Sequence, residues 1–202
     1  MSNQSTGKSN RRQQILEAAM NCFARKGYHV TTMDDISAEL PFSKGLIYYY
    51  FDSKRDIFLA ILENWKEAYL KGWEMLQSAD DDATIQIHKC LEYGMYLVTS
   101  SAEIARVEFE FYSELGRDTA VSTAFRDLFT EIRNQIKNIL EAGISSGQLR
   151  PMDTDALAAV LFAVYEGLAI QASVEPDGFN WPAISKNLVE LVMRGISATE
   201  KE

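Results

Sequence analysis

Apolar residues in this chain recur every three or four positions in nearly every segment, and strict alternation is absent. That spacing puts side chains on one stripe of an α-helix, whereas a half-buried strand needs a period of two. The breaks between the runs carry helix-stopping residues: Gly27, Pro41, Asp52-Ser53, Asp80-Asp81-Asp82, Gly147, Pro151, Pro176-Asp177-Gly178 and Pro182. The pattern predicts an all-α chain of about nine helices, because runs of this length bounded by Gly and Pro are helices with connecting turns.

The starts and stops are clearest near the N-terminus. A first helix is expected from about Asn10 to Lys26, with Ile15, Ala18, Ala19, Cys22 and Phe23 on its apolar face. Gly27 follows Arg25-Lys26 at the position where a C-terminal glycine belongs. Thr32 and Asp35 have the spacing of a capping box with Asp in place of Glu, and Met33, Ile36 and Leu40 form the stripe of a second helix. Pro41 ends it, since the residue before a proline is pushed out of the helical region. Phe42 is expected to plug the core at the turn, and Ser43 to cap a third helix, Ser43–Phe51. Ser53 with Asp56 repeats the capping-box spacing and opens a long fourth helix through Ile57, Phe58, Ile61, Leu62, Trp65, Tyr69 and Trp73. The remaining helices are placed at about 83–100, 102–115, 119–146, 153–173 and 181–197.

Two short helices joined by a tight turn make a helix-turn-helix, and the charge distribution agrees with that reading. The chain has a net charge of −9, yet residues 1–56 hold eight Lys or Arg against six Asp or Glu. The remainder holds twelve against twenty-three. A mildly basic module on an acidic body fits a DNA-contacting head joined to a domain that stays off DNA. The expected organisation is a disordered tail over 1–9, a helix-turn-helix domain over 10–54 and a helical domain over 55–202.

Several function classes find no support. No stretch comes near the ~20 apolar residues of a membrane helix, and Met1–Asn10 lacks the apolar centre of a secretory signal, so a cytoplasmic location is expected. Cys22 and Cys90 sit in apolar-periodic runs and read as small buried residues, with neither a disulfide nor a metal site expected. His29 and His88 are isolated, and Asp80-Asp81-Asp82 lacks the Gly and distal Glu of a calcium loop. No nucleophile–base pair, phosphate loop or metal constellation is visible, so no catalysis and no cofactor are expected.

The stretch Ser43-Lys44-Gly45-Leu46-Ile47-Tyr48-Tyr49-Tyr50-Phe51 carries the most chemistry. A short helix buries only some of its side chains, so phenol hydroxyls and the Lys44 and Lys54 ammonium groups are left facing outward. Such groups hold phosphates and base edges in a DNA groove. Lys44 and Lys54 would give salt-dependent phosphate contacts, and Leu46 could read only by apolar contact, such as with a thymine methyl. The N-termini at Thr32 and Ser53 would offer backbone N–H groups to phosphate.

Helices 1 to 4 resemble the DNA-binding domain of the TetR (tetracycline-repressor-type) family of bacterial regulators. The matching residues are Ile15-Leu16-x-Ala18-Ala19, Phe23, Gly27-Tyr28 and Thr31-Thr32-Met33-x-x-Ile36, then Ser43-Lys44-Gly45-x-Ile47-Tyr48-x-Tyr50-Phe51 and Ser53-Lys54. Four positions depart from the family pattern: Leu40-Pro41 stands for a small-Gly pair, Leu46 for Thr and Tyr49 for His. The resemblance implies a homodimeric repressor that binds a palindromic double-stranded operator and is released by a small molecule. It implies that Ser43, Lys44, Leu46, Tyr48 and Tyr49 of helix 3, with Thr32 and Met33 of helix 2 and Lys54 of helix 4, form the DNA surface. Ile47 and Phe51 are assigned to the core, as is Tyr50 to the packing of the module.

Beyond the head, Ala156, Ala159, Ala163, Gly167 and Ile170 fall at helical steps, as do Leu188, Leu191, Val192 and Gly195. These small-residue faces suit a four-helix dimer interface. Trp65, Tyr69, Tyr93, Tyr96, Phe109, Tyr112, Phe129, Phe162 and Tyr165 supply aromatic lining for an effector cavity. A buried Glu108 or Glu166 would suit a cationic ligand; otherwise the expected effector is apolar or aromatic. The competing readings are a DNA-binding regulator with no effector and a helical small-molecule carrier or enzyme.

Overall fold

The structure is a computed structural model that describes residues 3–78, 80–99 and 102–198; for 3–9 and 102–106 it describes the backbone alone. The described residues form nine helices: α1 (Asn3–Lys26), α2 (Met33–Ala38), α3 (Lys44–Tyr50), α4 (Lys54–Leu76), α5 (Ala83–Thr99), α6 (Ala102–Ser113), α7 (Thr119–Ser145), α8 (Thr154–Val174) and α9 (Trp181–Ile196). The all-α expectation holds, and most helix limits fall within two residues of those read from the sequence. The exception is α1, whose backbone is helical from Asn3 rather than from Asn10, so most of the stretch expected as a disordered tail is helix. That stretch has no proline, and its single Gly7 is a weak breaker.

The chain forms two compact units. One comprises residues 1–68 with 106–125; the other comprises 69–105 with 126–202. The first is larger than a helix-turn-helix because the aromatic residues of α4 and α6 pack together. Phe58 stacks on Phe111 with ring centroids 3.7 Å apart and on Tyr28 at 4.1 Å, while Phe23, Trp65 and Phe125 meet these rings edge-on. Beneath them lie Ile15, Leu16, Ala19, Cys22, Ile36, Ile47, Ile57 and Ile61, all buried.

The second unit is centred on α5, which lies against α8 and α9. Its core contains Trp73, Ile87, Leu91, Ile136, Leu140, Leu149, Leu161 and Ile196. An antiparallel bridge between Leu149 and Ser197 ties the α7–α8 connection to the end of α9, through Arg150 N–H to Ile196 O and Ala198 N–H to Gln148 O.

Two further expectations change here. Phe42 is half-exposed and carries the Arg11 guanidinium over its ring at 5.5 Å, so it does not plug the core. The second concerns α8, which is long and apolar enough, by length and composition, to cross a bilayer. Its alanines and its aliphatic residues lie on all sides. Much of that surface is uncovered within this chain: Val160, Ile170 and Val174 are all exposed.

Candidate nucleic-acid interface

The candidate surface begins at the α1–α2 loop. Gly27 has φ +84, the left-handed conformation that ends α1, and its N–H bonds to Phe23 O at 2.8 Å. A side chain there would be strained. Thr31 is buried, and its hydroxyl donates to Gly27 O at 2.8 Å, which turns the chain into α2. Thr32 is the N-cap, and the capping box read from the sequence is present with both bonds made. Thr32 N–H donates to Asp35 Oδ2 at 2.9 Å, and Asp35 N–H donates to Thr32 Oγ1 at 3.2 Å. In the free chain these groups bond to one another within the cap. The Asp35 carboxyl is held well below the usual carboxylate range, first by the Lys26 ammonium at 2.5 Å and then by the Thr32 donors.

α3 divides as expected. Ile47 and Phe51 are buried; Tyr48 and Tyr49 are 46% and 64% exposed; Tyr50 and Leu46 lie between these extremes. Ser43 occupies the N-cap position, but its exposed hydroxyl makes no capping bond. Lys44 Nζ pairs with Asp34 Oδ1 of α2 at 2.7 Å and lies 5.8 Å from the centroid of the Tyr48 ring. The Asp34 partner raises the Lys44 ammonium above its ordinary value. Both groups are open to solvent, so the pair is weak and exchangeable. Met33 is half-buried beside Asp34.

Lys54 lies against the α1–α2 loop. Its ammonium donates to three backbone carbonyls of the α1–α2 loop: Tyr28 O at 2.5 Å, Thr31 O at 2.7 Å and His29 O at 3.1 Å. An ammonium has three donors, and all three are occupied. Burial lowers its pKa, opposed by the charge of Glu114. Lys54 thus braces the loop that launches α2. At the start of α4, Ser53 and Asp56 make the expected cap, with Asp56 N–H to Ser53 Oγ at 3.2 Å and Ser53 Oγ–H to Asp56 Oδ2 at 2.7 Å.

Acidic residues from 106–125 also hold this loop and the start of α4. Glu110 Oε2 accepts Tyr28 N–H at 2.7 Å. Glu114, 8% exposed, places Oε1 2.8 Å from His29 Nε2. Asp118 takes a bidentate pair from Arg55, through Nε and through Nη2 at 2.7 Å. The Arg55 guanidinium holds the Asp118 carboxyl far below its ordinary range. The sequence reading missed these residues. The signal was the run Glu108-Phe109-Glu110-Phe111-Tyr112, whose alternation requires two working faces on one helix. Phe111 turns into the aromatic stack, while Glu110 meets the loop.

Comparison with known proteins agrees with this geometry. Residues 15–61 match the family model for bacterial regulatory proteins of the tetR family, and residues 95–197 match that for the BetI-type transcriptional repressor C-terminal domain. The chain belongs to the TetR family of transcriptional regulators. The HTH-type transcriptional regulator YfiR of Bacillus subtilis is 30% identical over 168 residues, covering 77% of this chain and 76% of its own. YhgD of the same organism, also an HTH-type transcriptional regulator, is 27% identical over 192 residues, covering 93% and 97%. A transcriptional regulator from Saccharomonospora viridis, solved in complex with choline, superposes with a TM-score of 0.82 at 26% identity, covering 94% of this chain and 98% of that one.

In this TetR-family chain the aromatic residues expected to line one effector cavity are divided. Trp65, Glu108, Phe109 and Tyr112 belong to the first unit, and Tyr69, Tyr93, Tyr96, Phe129, Phe162, Tyr165 and Glu166 to the second. In the first, Trp65 joins the Phe111 stack, Tyr112 O–H donates to Glu108 Oε1 at 3.1 Å, and Phe109 is exposed. In the second, Tyr165 O–H donates to Leu91 O at 2.7 Å, and its ring passes so close to Gly94 that a Cβ there would lie 2.5 Å from it. Tyr93 uses Gly72 in the same way, while Tyr96 points largely to solvent. Phe129 and Phe162 meet edge-on at 4.9 Å. Burial raises the phenols of Tyr69 and Tyr165.

The small-residue faces of α8 and α9 are open within the chain. Ala156, Ala159, Ala163, Ile170, Leu191 and Gly195 are exposed, and Gly167, Leu188 and Val192 are partly so. A Cβ added at Gly167 or Gly195 would meet nothing within 4 Å.

Proposed function

We propose that this TetR-family regulator is a cytoplasmic, homodimeric repressor that binds a palindromic operator and is released by a small molecule, with no catalytic role. The observation that carries this reading is the division of α3: Ile47 is fully buried while Lys44, Tyr48 and Tyr49 face outward beside a capped α2. Ser43, Lys44, Leu46, Tyr48 and Tyr49 read and position in the major groove, with Thr32 and Met33 against the adjoining backbone. Pairing through α8 and α9 supplies two such heads, so that two weak half-site contacts act together. The exposed apolar surface of both helices supports this assembly.

The effector is a small apolar or aromatic molecule, for which a cationic headgroup is well suited. The tyrosines 69, 93, 96 and 165 offer π faces and Glu166 a counter-charge. The choline bound to the Saccharomonospora viridis regulator makes a quaternary ammonium a sensible first probe. Effector binding shifts α4, which belongs to both units, and so changes the spacing of the two heads. A second reading, a DNA-binding regulator without effector, is favoured by the packing of Tyr93 and Tyr165 against glycines and by their hydroxyl bonds to backbone carbonyls.

A gel-shift series on the DNA flanking the protein's own gene tests the repressor. Specific binding at low salt, lost on adding choline or another small molecule, supports the first reading. Specific binding that no ligand perturbs supports the second, and the absence of specific binding rejects both.

A further inference from the structure

Where α1 meets the α2–α3 turn, the head has an open cavity of about 390 Å³ lined by Asn10, Arg11, Gln14, Pro41 and Phe42. Arg25, Lys26, Lys44 and Arg55 each pair with a carboxylate, and Lys54 is occupied by carbonyls. Arg11 is exposed, and among the described residues it is paired with no carboxylate; its guanidinium rests over the Phe42 ring. An aromatic shelf holds the guanidinium plane and leaves its N–H edge free for an anion. Asn10 and Gln14 lie on the same turn of α1 as Arg11 and bring amide groups to the same cavity. Phe42 directly precedes Ser43, whose exposed hydroxyl makes no capping bond, and Lys44 at the head of α3.

We propose, resting on the DNA-binding reading above, that this cavity seats a phosphodiester of the operator duplex beside the groove entered by α3. Arg11 forks two N–H groups onto the phosphate oxygens, and the Asn10 and Gln14 amides complete the cradle. The contact fixes the register of the head on the duplex and carries no sequence information. α1, otherwise a packing helix, thereby becomes part of the DNA surface.

The test uses fluorescence anisotropy with a fluorescein-labelled duplex from the DNA upstream of the protein's own gene, titrated at several salt concentrations. Arg11→Gln is expected to weaken binding about tenfold and to reduce the salt slope by about one. Its preference for that duplex over a scrambled one is expected to stay as in the wild type. Arg11→Lys should recover part of the loss, since charge is kept but the planar fork is not. Lys186→Gln, an exposed change on α9, should behave as wild type. A wild-type slope for Arg11→Gln overturns the assignment, while a wild type that fails to bind any duplex overturns the DNA reading itself. Inorganic phosphate at constant ionic strength is the second probe. A thermal stabilisation of the wild type that Arg11→Gln abolishes, with duplex binding unchanged, would mark a free-anion site and also overturn it.

Discussion

Glu110 accepts the backbone N–H of Tyr28 at 2.7 Å although 82 positions separate them. The bond holds the residue after Gly27, where the chain leaves α1 in a left-handed conformation, and Gly27 itself packs against the same carboxylate. Glu110→Ala strands a partly buried amide donor, and about 1 kcal/mol of stability should be lost. Glu110→Gln keeps an acceptor and should lose less. Urea unfolding of the two variants checks this, and equal midpoints for wild type and Glu110→Ala would refute it.

Lys54 and the three carbonyls it holds make a second, separable prediction. An open phosphate contact would leave stability untouched on removal and reduce the salt slope of DNA binding. A brace behaves otherwise: Lys54→Met frees Tyr28, His29 and Thr31 carbonyls and should lower the melting temperature by several degrees. A melt that matches wild type, together with a reduced salt slope, would return Lys54 to the phosphate surface.

Acid titration reports on the ion pairs of the head. Asp35 and Asp118 have folded pKa values depressed below their ordinary ones, by Lys26 and Arg55 respectively. A depressed carboxyl contributes stability that is complete above its unfolded value, about 3.9, and is lost as pH falls toward the folded value. The melting temperature should therefore fall steeply below about pH 4. Asp118→Asn should flatten that fall while lowering the melting temperature at pH 7. An unchanged slope would mean that the pair with Arg55 is not formed in solution.

How much of this could be read from the sequence differs by element. The capping box at Thr32, the glycine stop at Gly27 and the burial of Ile47 between exposed tyrosines were legible because each is set within one turn of chain. The carbonyl bonds of Lys54 were not legible because its partners lie 23 to 26 positions earlier, and a lysine that follows an aromatic run looks the same whether it faces phosphate or carbonyl. Glu110, Glu114 and Asp118 were invisible for the same reason, since their partners are on α4 and the α1–α2 loop. The packing of the body's aromatic residues was not legible either. Tyr93 and Tyr165 occupy notches at Gly72 and Gly94, and a close approach of ring to glycine leaves no local trace in sequence.

Leu191 tests the proposed pairing of subunits. It is 74% exposed on α9, so replacing it by Asp should change the stability of an isolated chain by no more than about 0.5 kcal/mol. In a packed interface the same change buries an unpaired charge. Sedimentation should show a dimer for wild type and a monomer for Leu191→Asp, with helical circular dichroism retained. A dimer that survives the substitution would move the interface elsewhere.

The pair between Lys44 and Asp34 sets the last prediction. Lys44 is held at the head of α3 by a carboxylate whose side chain is 78% exposed, beside the proposed DNA surface. On DNA binding the ammonium exchanges one anion for another, and Asp34 is left near the duplex as a repelling charge. Asp34→Asn removes that opposition and should tighten binding about three- to tenfold at low salt, with the gain fading as salt rises. Lys44→Ala should weaken binding to every duplex and reduce the salt slope by about one. Tyr49→Ala should instead change the ranking of duplexes and leave the slope alone, since a phenol on the reading face contacts base edges and carries no charge. Anisotropy titrations over a panel of point-substituted duplexes separate the three variants. Identical rankings for Tyr49→Ala and wild type would remove Tyr49 from the reading set, and weaker binding by Asp34→Asn would mean that Asp34 supports α3 and does not compete for Lys44.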